Sequence, residues 1–252
     1  MLNLAEKRRY NRHIILPEIG EQGQEKLKSA KVLVVGAGGL GAPVLQYLTA
    51  AGVGTIAILD DEVVTEDNLQ RQILYGGHDL GKLKTIISKQ RLNALNPFVN
   101  HKIYNIRLKP GNALDFVSRY DLVVDATDNT SSNLLINDAC IIARKPWIFG
   151  SLQNFQGQVA SFNFENSPSL RCAFPKGFNK VNSEKALLGL FGVLPGIIGS
   201  LQAVEAIKII TGIGKPLFGK ILIYSMLTHL IETILFERKE ENFQITSLQD
   251  SY

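Results

Sequence analysis

The chain has 252 residues, 45% of them hydrophobic, with 27 basic side chains against 23 acidic ones and two cysteines. That length buries a real core, and two cysteines outside any C-x-x-C pair make neither a disulfide framework nor a cysteine metal site. The surplus of four positive charges is scattered apart from Lys7, Arg8, Arg9 and Arg12, which excludes a concentrated nucleic-acid face; no apolar run reads as a membrane span, and the charged opening MLNLAEKRRYNRH is no secretory signal, so a cytoplasmic protein is expected.

Residues 1–28 read as a helical N-terminal arm interrupted at Pro17 and Gly20. Arg8, Arg9 and Arg12 fall within one or two turns of each other; they form a solvated face, or an arm that reaches an anionic site on a neighbouring subunit. Lys31 to Val35 is apolar on both faces, as in the middle of a parallel sheet, and runs into Gly36-Ala37-Gly38-Gly39-Leu40-Gly41. This is G-x-G-x-x-G: Gly36 makes the tight turn, Gly38 lets a phosphate approach the backbone, and Gly41 lets the next helix, about Leu40 to Ala51, lie close on the strand. A second strand, Thr55 to Leu59, ends at Asp60, a spacing suited to a carboxylate that holds a ribose hydroxyl. Nucleotide binding is the first inference.

The polar connection from Asp61 to Lys84 narrows it. Asn68, Gln70, Arg71 and Gln72 crowd together, and Lys84 opens a helix to about Leu95. An arginine and a lysine brought to one crevice are a triphosphate clamp, which hydride transfer does not need. Strands follow at about His101 to Ile106 and Leu122 to Ala126, with a short helix near Ala113 to Arg119. Asp125-Ala126-Thr127-Asp128-Asn129 then leads into a helix to about Ala143, capped by Asn129 or Thr130. Ligands collect beyond the carboxyl ends of such strands, where Asp125 and Asp128 sit; one aspartate serves the helix, and Asp128, beyond the strand end, is the one expected to hold Mg²⁺.

Strands at Trp147 to Gly150 and Gln158 to Phe164, a polar loop from Asn166 to Leu188, an apolar helix from Gly192 to Thr211 and a strand pair at Lys220 to Tyr224 and Ile231 to Phe236 complete the pattern. The charged tail after Glu237 reads as frayed. The expected architecture is α/β: a nucleotide-binding, Rossmann-like half at residues 29–150, and a mixed-sheet half at 151–252 packed on it within one domain.

Seven motifs now stand in order: R-Y-x-R-H at Arg9 to His13, G-x-G-G-L-G at Gly36 to Gly41, D-x-x-x-V at Asp60 to Val64, N-L-Q-R-Q at Asn68 to Gln72, G-x-x-K at Gly81 to Lys84, D-A-T-D-N at Asp125 to Asn129, and G-S-L-Q-A-x-E-A-I-K at Gly199 to Lys208. Over nearly its whole length the chain resembles the ThiF/MoeB/HesA family, bacterial relatives of ubiquitin-activating enzymes. The resemblance implies a mainly parallel sheet continued by antiparallel strands. It also implies an adenylyltransferase that uses ATP and Mg²⁺ to activate the C-terminal glycine of a small ubiquitin-like sulfur carrier, of the ThiS or MoaD kind, for molybdopterin or thiamin biosynthesis. Gly36, Gly38, Gly39, Gly41, Asp60, Asp67, Asn68, Leu69, Gln70, Arg71, Lys84, Asp128 and Asn129 would line the nucleotide site. Arg71, Lys84 and Asp128, the last on Mg²⁺, would carry catalysis. Arg12 would cross the interface of a homodimer into the partner's site, and a separate sulfurtransferase would consume the product.

Two departures qualify this. Many relatives hold a structural zinc with two C-x-x-C pairs, but here Ser169 stands at the first position, Cys172 is alone and the tail has no cysteine, so no zinc is expected. The stretch from Phe174 to Leu188 lacks the cysteine that some relatives use to capture the carrier, and Cys140 falls in a core helix. The chain is thus most like the MoeB branch. Adenylation of a carrier or peptide in a secondary-metabolite pathway, a non-catalytic scaffold for a ubiquitin-like protein, and a nicotinamide oxidoreductase are the alternatives; the last leaves Arg71, Lys84 and Asp128 unexplained.

Overall fold

A computed structural model describes residues 1–175 and 189–252. One eight-stranded sheet runs through both halves of the chain in the order β3-β2-β1-β4-β5-β6-β7-β8. The strands are β1 (Lys31–Val35), β2 (Thr55–Leu59), β3 (Asn100–Tyr104), β4 (Leu122–Asp125), β5 (Trp147–Gln153), β6 (Gln156–Phe162), β7 (Lys220–Ser225) and β8 (Ile231–Leu235). β1 to β5 are parallel, and β5 to β8 antiparallel. The order reverses direction between β1 and β4, so the crevice at their carboxyl ends is where a ligand fits.

Nine α-helices stand among the described residues: α1 (Leu4–Arg9), α2 (Asn11–Ile14), α3 (Gly20–Ser29), α4 (Gly41–Ala51), α5 (Lys84–Leu95), α6 (Pro110–Ser118), α7 (Thr130–Ala143), α8 (Leu170–Ala173) and α9 (Val193–Thr211). Helices α3, α4, α5 and α9 share one core face of the sheet with Val32, Val34, Ile56 and Ile58, while α6 and α7 cover the other with Leu33, Val35, Ala57 and Val123. The alternation along β1 therefore feeds two cores, which is why its sequence is apolar at every position from Val32 to Val35.

Several sequence readings change. α9 has 19 residues and a mean hydropathy of 1.6, so an apolar segment of membrane-spanning length is present after all. Its polar residues place it in the protein core. Gln202 Nε2 donates to the Asp125 carbonyl at 2.7 Å, and Glu205 Oε2 accepts from Ser161 Oγ at 2.8 Å and Leu217 N at 2.6 Å. Helix α6 starts three residues early because Pro110, with its fixed φ and no amide to leave unpaired, suits a first turn. The loop expected from Asn166 contains α8, and its remainder at 176–188 lies outside the described residues.

The tail is not frayed. Arg238 stacks on the Phe243 ring at 3.4 Å, and Tyr252 donates to Asp138 Oδ2 at 3.0 Å. The N-terminal helices are likewise docked on their own chain, since Tyr10 is 3% exposed against Gly52 and its hydroxyl accepts from Asn96 Nδ2 at 2.8 Å.

Candidate functional site

The glycine turn is built by exclusion of side chains. Gly36 has φ +98°, and a Cβ there would lie 2.6 Å from the Ala126 carbonyl; a Cβ on Gly41 would lie 2.2 Å from the Gly36 carbonyl. Any side chain at either position would push β1, β4 and α4 apart. Tyr75 pins the turn from below, donating to Ala37 O at 2.7 Å, and among the described residues no side chain caps the start of α4. Within the first turn of α4, Ala42 N already donates to the Gly38 carbonyl at 2.9 Å and Pro43 has no N–H, so it is the amides around Gly38 and Gly39 and the helix's positive dipole end that face an anion.

Asp60, at the end of β2, closes the turn: its Oδ2 accepts from Ala37 N at 2.8 Å and its Oδ1 from Glu62 N at 2.9 Å. Burial raises its pKa against the pull of those two amides and of the nearby Lys84 charge. Each oxygen keeps a lone pair for a sugar hydroxyl.

The segment after β2 folds into a helical knot. Glu66–Asn68 is a short 3-10 turn, and the Asn68 carbonyl accepts from both Arg71 N and Gln72 N, at 3.0 and 2.8 Å. Thr65 Oγ1 donates to Asp67 Oδ1 at 2.5 Å and so holds that exposed carboxyl below its usual range. Leu69 packs on the core, Gln70 is exposed, and Arg71 Nη1 donates to the Asp67 carbonyl at 2.6 Å. Gly38 lies beside the Gln72 amide and Gly39 between Pro195 of α9 and the Arg71 stem. Asn68 Oδ1 and Gln72 Oε1 are buried with no hydrogen-bond partner among the described residues. Two orphaned acceptors beside an uncapped helix start are what a polar ligand would complete. Lys84, the first residue of α5, is 1% exposed and 2.5 Å from Glu62 Oε2.

The two aspartates of β4 divide as follows. Asp125 is fully buried, its Oδ1 accepting from Thr127 N and Thr127 Oγ1 at 3.0 and 2.7 Å and its Oδ2 from Asn133 Nδ2 at 2.7 Å; burial pushes its pKa up to about 6. Neither aspartate caps α7, because Asn129 does, accepting from Ser132 N at 2.9 Å. Asp128 is exposed beside the Asn129 amide, 3.5 Å away, at the mouth of the crevice.

Arg12 is not brought to this site within its own chain. It lies exposed on α2, and α1 and α2 pack near Ala51, Gly52 and Asn96, at the far end of α4 from Gly41. Eleven helical residues, about 16 Å, separate the two ends. Sequence reading missed Glu62 as the partner of Lys84, and Gln72 as an open acceptor. Glu62 was legible only as one of several acids in a loop, whereas Gln72 sits inside a motif already quoted.

The ThiF family model matches residues 10–245. The chain is 49% identical over 225 residues to the sulfur carrier protein adenylyltransferase of Thermus thermophilus, covering 87% of this chain and 83% of that one. It is 42% identical over 258 residues to the probable adenylyltransferase/sulfurtransferase MoeZ of Mycobacterium tuberculosis, covering 99% of this chain and 65% of the longer relative. Among solved structures, Escherichia coli MccB superposes with a TM-score of 0.84 at 22% identity, over 97% of this chain and 75% of that one; this likeness concerns the fold alone. With its family model spanning almost every described element and a relative at nearly half identity, the chain belongs to the ThiF family and is an adenylyltransferase, an enzyme that transfers AMP.

Proposed function

We propose that this chain activates the C-terminal carboxylate of a small ubiquitin-like sulfur carrier as an acyl-adenylate, for molybdopterin or thiamin biosynthesis, working as a homodimer. The observation that carries the reading is the convergence at the carboxyl ends of β1, β2 and β4: an uncapped helix start, two orphaned acceptors, a basic pair and a free carboxylate. Asp60 takes the ribose, the amides around Gly38 and Gly39 take phosphate oxygens, and Asn68 and Gln72 hold the nucleotide through the acceptors that the fold leaves open. Arg71 grips two phosphate oxygens once it releases the Asp67 carbonyl, and Lys84 supplies a point charge. Asp128 holds Mg²⁺, which when bound neutralises charge on the phosphates.

The nucleophile is a carboxylate, ionised at neutral pH, so no general base is required. Its oxygen attacks the α-phosphorus, the bond to the bridging oxygen breaks, and pyrophosphate leaves with the electron pair. The chain's task is alignment and charge stabilisation.

A second subunit fits both ends of this reading. Beside Arg71 a groove of about 810 Å³ runs between Pro43 of α4 and Phe191, Val193 and Val204 at the start and outer face of α9. Tyr47, one turn along α4 from Pro43, and Ile73 add exposed apolar surface. Such a face supports a dimer in which the partner subunit's Arg12 completes the phosphate site that this chain's own Arg12 does not reach. A separate sulfurtransferase then consumes the acyl-adenylate.

ATP–[³²P]pyrophosphate exchange with Mg²⁺, offering ThiS-like and MoaD-like carriers with and without the terminal glycine, tests the reading. Exchange that appears with one carrier and vanishes with its glycine is the expected result. No exchange with either carrier, despite ATP binding, would refute it in favour of another substrate.

A further inference from the structure

Lys84 carries its charge in two adverse places at once. It is 1% exposed, and it opens α5, whose positive dipole end disfavours a cation. A buried ammonium needs an anion. Among the described residues the anion in contact with it is Glu62, with Oε2 2.5 Å from Nζ, while Asp60 acts on it from farther off; the pair is lopsided because the Glu62 side chain is 62% exposed.

The backbone of Glu62 lacks that freedom. Lys84 N donates to Glu62 O at 3.0 Å, Glu62 N donates to Asp60 Oδ1 at 2.9 Å, and Val63 and Leu83 form an antiparallel bridge. The main chain is thus pinned beside the lysine while the carboxylate lies toward solvent, free to turn away. Through Asp60, whose other oxygen accepts from Ala37 N, the same residue is tied to the glycine turn.

We propose that Glu62 is the resting counterion of Lys84, displaced by the β- and γ-phosphates of an incoming triphosphate, and hence a residue that acts through Lys84 to temper the preference for triphosphate over monophosphate. The proposal rests on the nucleotide reading above. A solvent-facing ion pair is weak and yields to a polyanion, and the exchange of one anion for another keeps Lys84 compensated throughout. A nucleoside monophosphate brings no β- or γ-phosphate and leaves the pair closed. Binding of the triphosphate therefore works against a small closing energy that binding of the monophosphate does not meet.

Calorimetric titration of the full chain with Mg²⁺–ATP and with AMP, for wild type, Glu62→Gln, Lys84→Ala and the double variant, tests this. Glu62→Gln should tighten ATP binding about three- to tenfold and leave AMP unchanged, and the gain should vanish in the Lys84→Ala background. Glu62→Asp, shorter by one methylene but charged, should fall between wild type and Glu62→Gln. If Glu62→Gln weakens ATP as Lys84→Ala does, the carboxylate orients the lysine for phosphate and the counterion role is overturned. Equal changes for ATP and AMP would also overturn it, as an effect on the loop. Wild-type protein that binds neither nucleotide would instead refute the nucleotide reading itself, and with it the proposal. Circular dichroism of each variant separates these results from misfolding.

Discussion

The two ends of the parallel sheet treat polar groups by opposite rules. At the amino ends a cluster of buried polar side chains is spent on itself: His101 lies between Thr49 Oγ1 and Asn93 Oδ1, Asn96 Nδ2 bonds both Tyr10 and the Thr49 carbonyl, and Gln24 joins His13 to the Ala51 carbonyl, with Trp147 Nε1 at the start of β5 the exception among the described residues. At the carboxyl ends the accounts are left open. Among the described residues Asn68 Oδ1 and Gln72 Oε1 have no partner and Asp128 meets only its neighbour's amide, while Lys84 leans on a carboxylate at the surface. Buried polar groups without partners destabilise a fold, so a protein keeps them where a ligand completes them. On the proposed reading the carboxyl end binds the nucleotide and the amino end is scaffold.

The largest expected break in that contrast is Asp128→Ala. The residue is exposed and holds up nothing in the fold, so its loss should leave the melting temperature within a degree or two of wild type. Pyrophosphate exchange should fall about 10³-fold, the scale on which loss of one transition-state electrostatic partner is felt. Exchange within tenfold of wild type would show that the free carboxylate is not the metal ligand.

How far this contrast was legible in the sequence depends on the kind of residue. Gly36 and Gly41 were readable because backbone sterics leave no alternative there, and β1 and β2 were copied residue for residue from their apolar runs. The split between Asp125 and Asp128 was half readable: spacing put Asp128 beyond the strand, but Asp125 turned out to hold Thr127 and Asn133 rather than cap α7. Glu62 was not readable, since a pair between an exposed acid and a buried lysine 22 residues on depends on the bridge of Val63 to Leu83. The order of the tail was hidden too. Its anchors, Arg238 on Phe243 and Tyr252 on Asp138, are long-range contacts that composition does not encode.

A smaller and signed effect sharpens the comparison through pH. Burial lowers the His101 pKa to about 4, so the unfolded chain takes up a proton between about pH 6.5 and pH 4 that the folded chain refuses; stability is lost on acidification through that window. Burial raises Asp125 to about 6 against 3.8 for the free group, so here the folded chain takes the proton first and gains stability on the same descent. Each shift is worth about 3 kcal/mol, and the two oppose each other. Asp125→Asn, with the Asn133 amide turned to present its oxygen, removes only the second. Its unfolding free energy by urea titration should therefore drop by about 2 kcal/mol more than that of wild type between pH 7 and pH 4. Parallel profiles would show that Asp125 does not titrate in this range.

The smallest expected effect lies away from both ends, where the tail crosses α8. Cys172 is 4% exposed, and its sulfur accepts from Lys239 N at 3.3 Å and Asn242 Nδ2 at 3.4 Å, with Ser169 Oγ also 3.4 Å away. Burial raises the thiol, but these hydrogen bonds more than offset it and leave its pKa lowered. Here two tail residues and Ser169 close around one sulfur, and the tail is held as well by Arg238 Nη1 on the Ser167 carbonyl at 3.2 Å. One cysteine with an amide and a serine lacks the four donors of a structural zinc site. Metal analysis of the purified chain should therefore find well under one zinc per molecule. Cys172→Ala should cost only about 1 kcal/mol, because sulfur hydrogen bonds are weak and Lys239 and Asn242 lie where water can replace it. A zinc stoichiometry near one, or a loss of several kcal/mol, would mean that a metal rather than this hydrogen-bonded clasp closes the tail on α8.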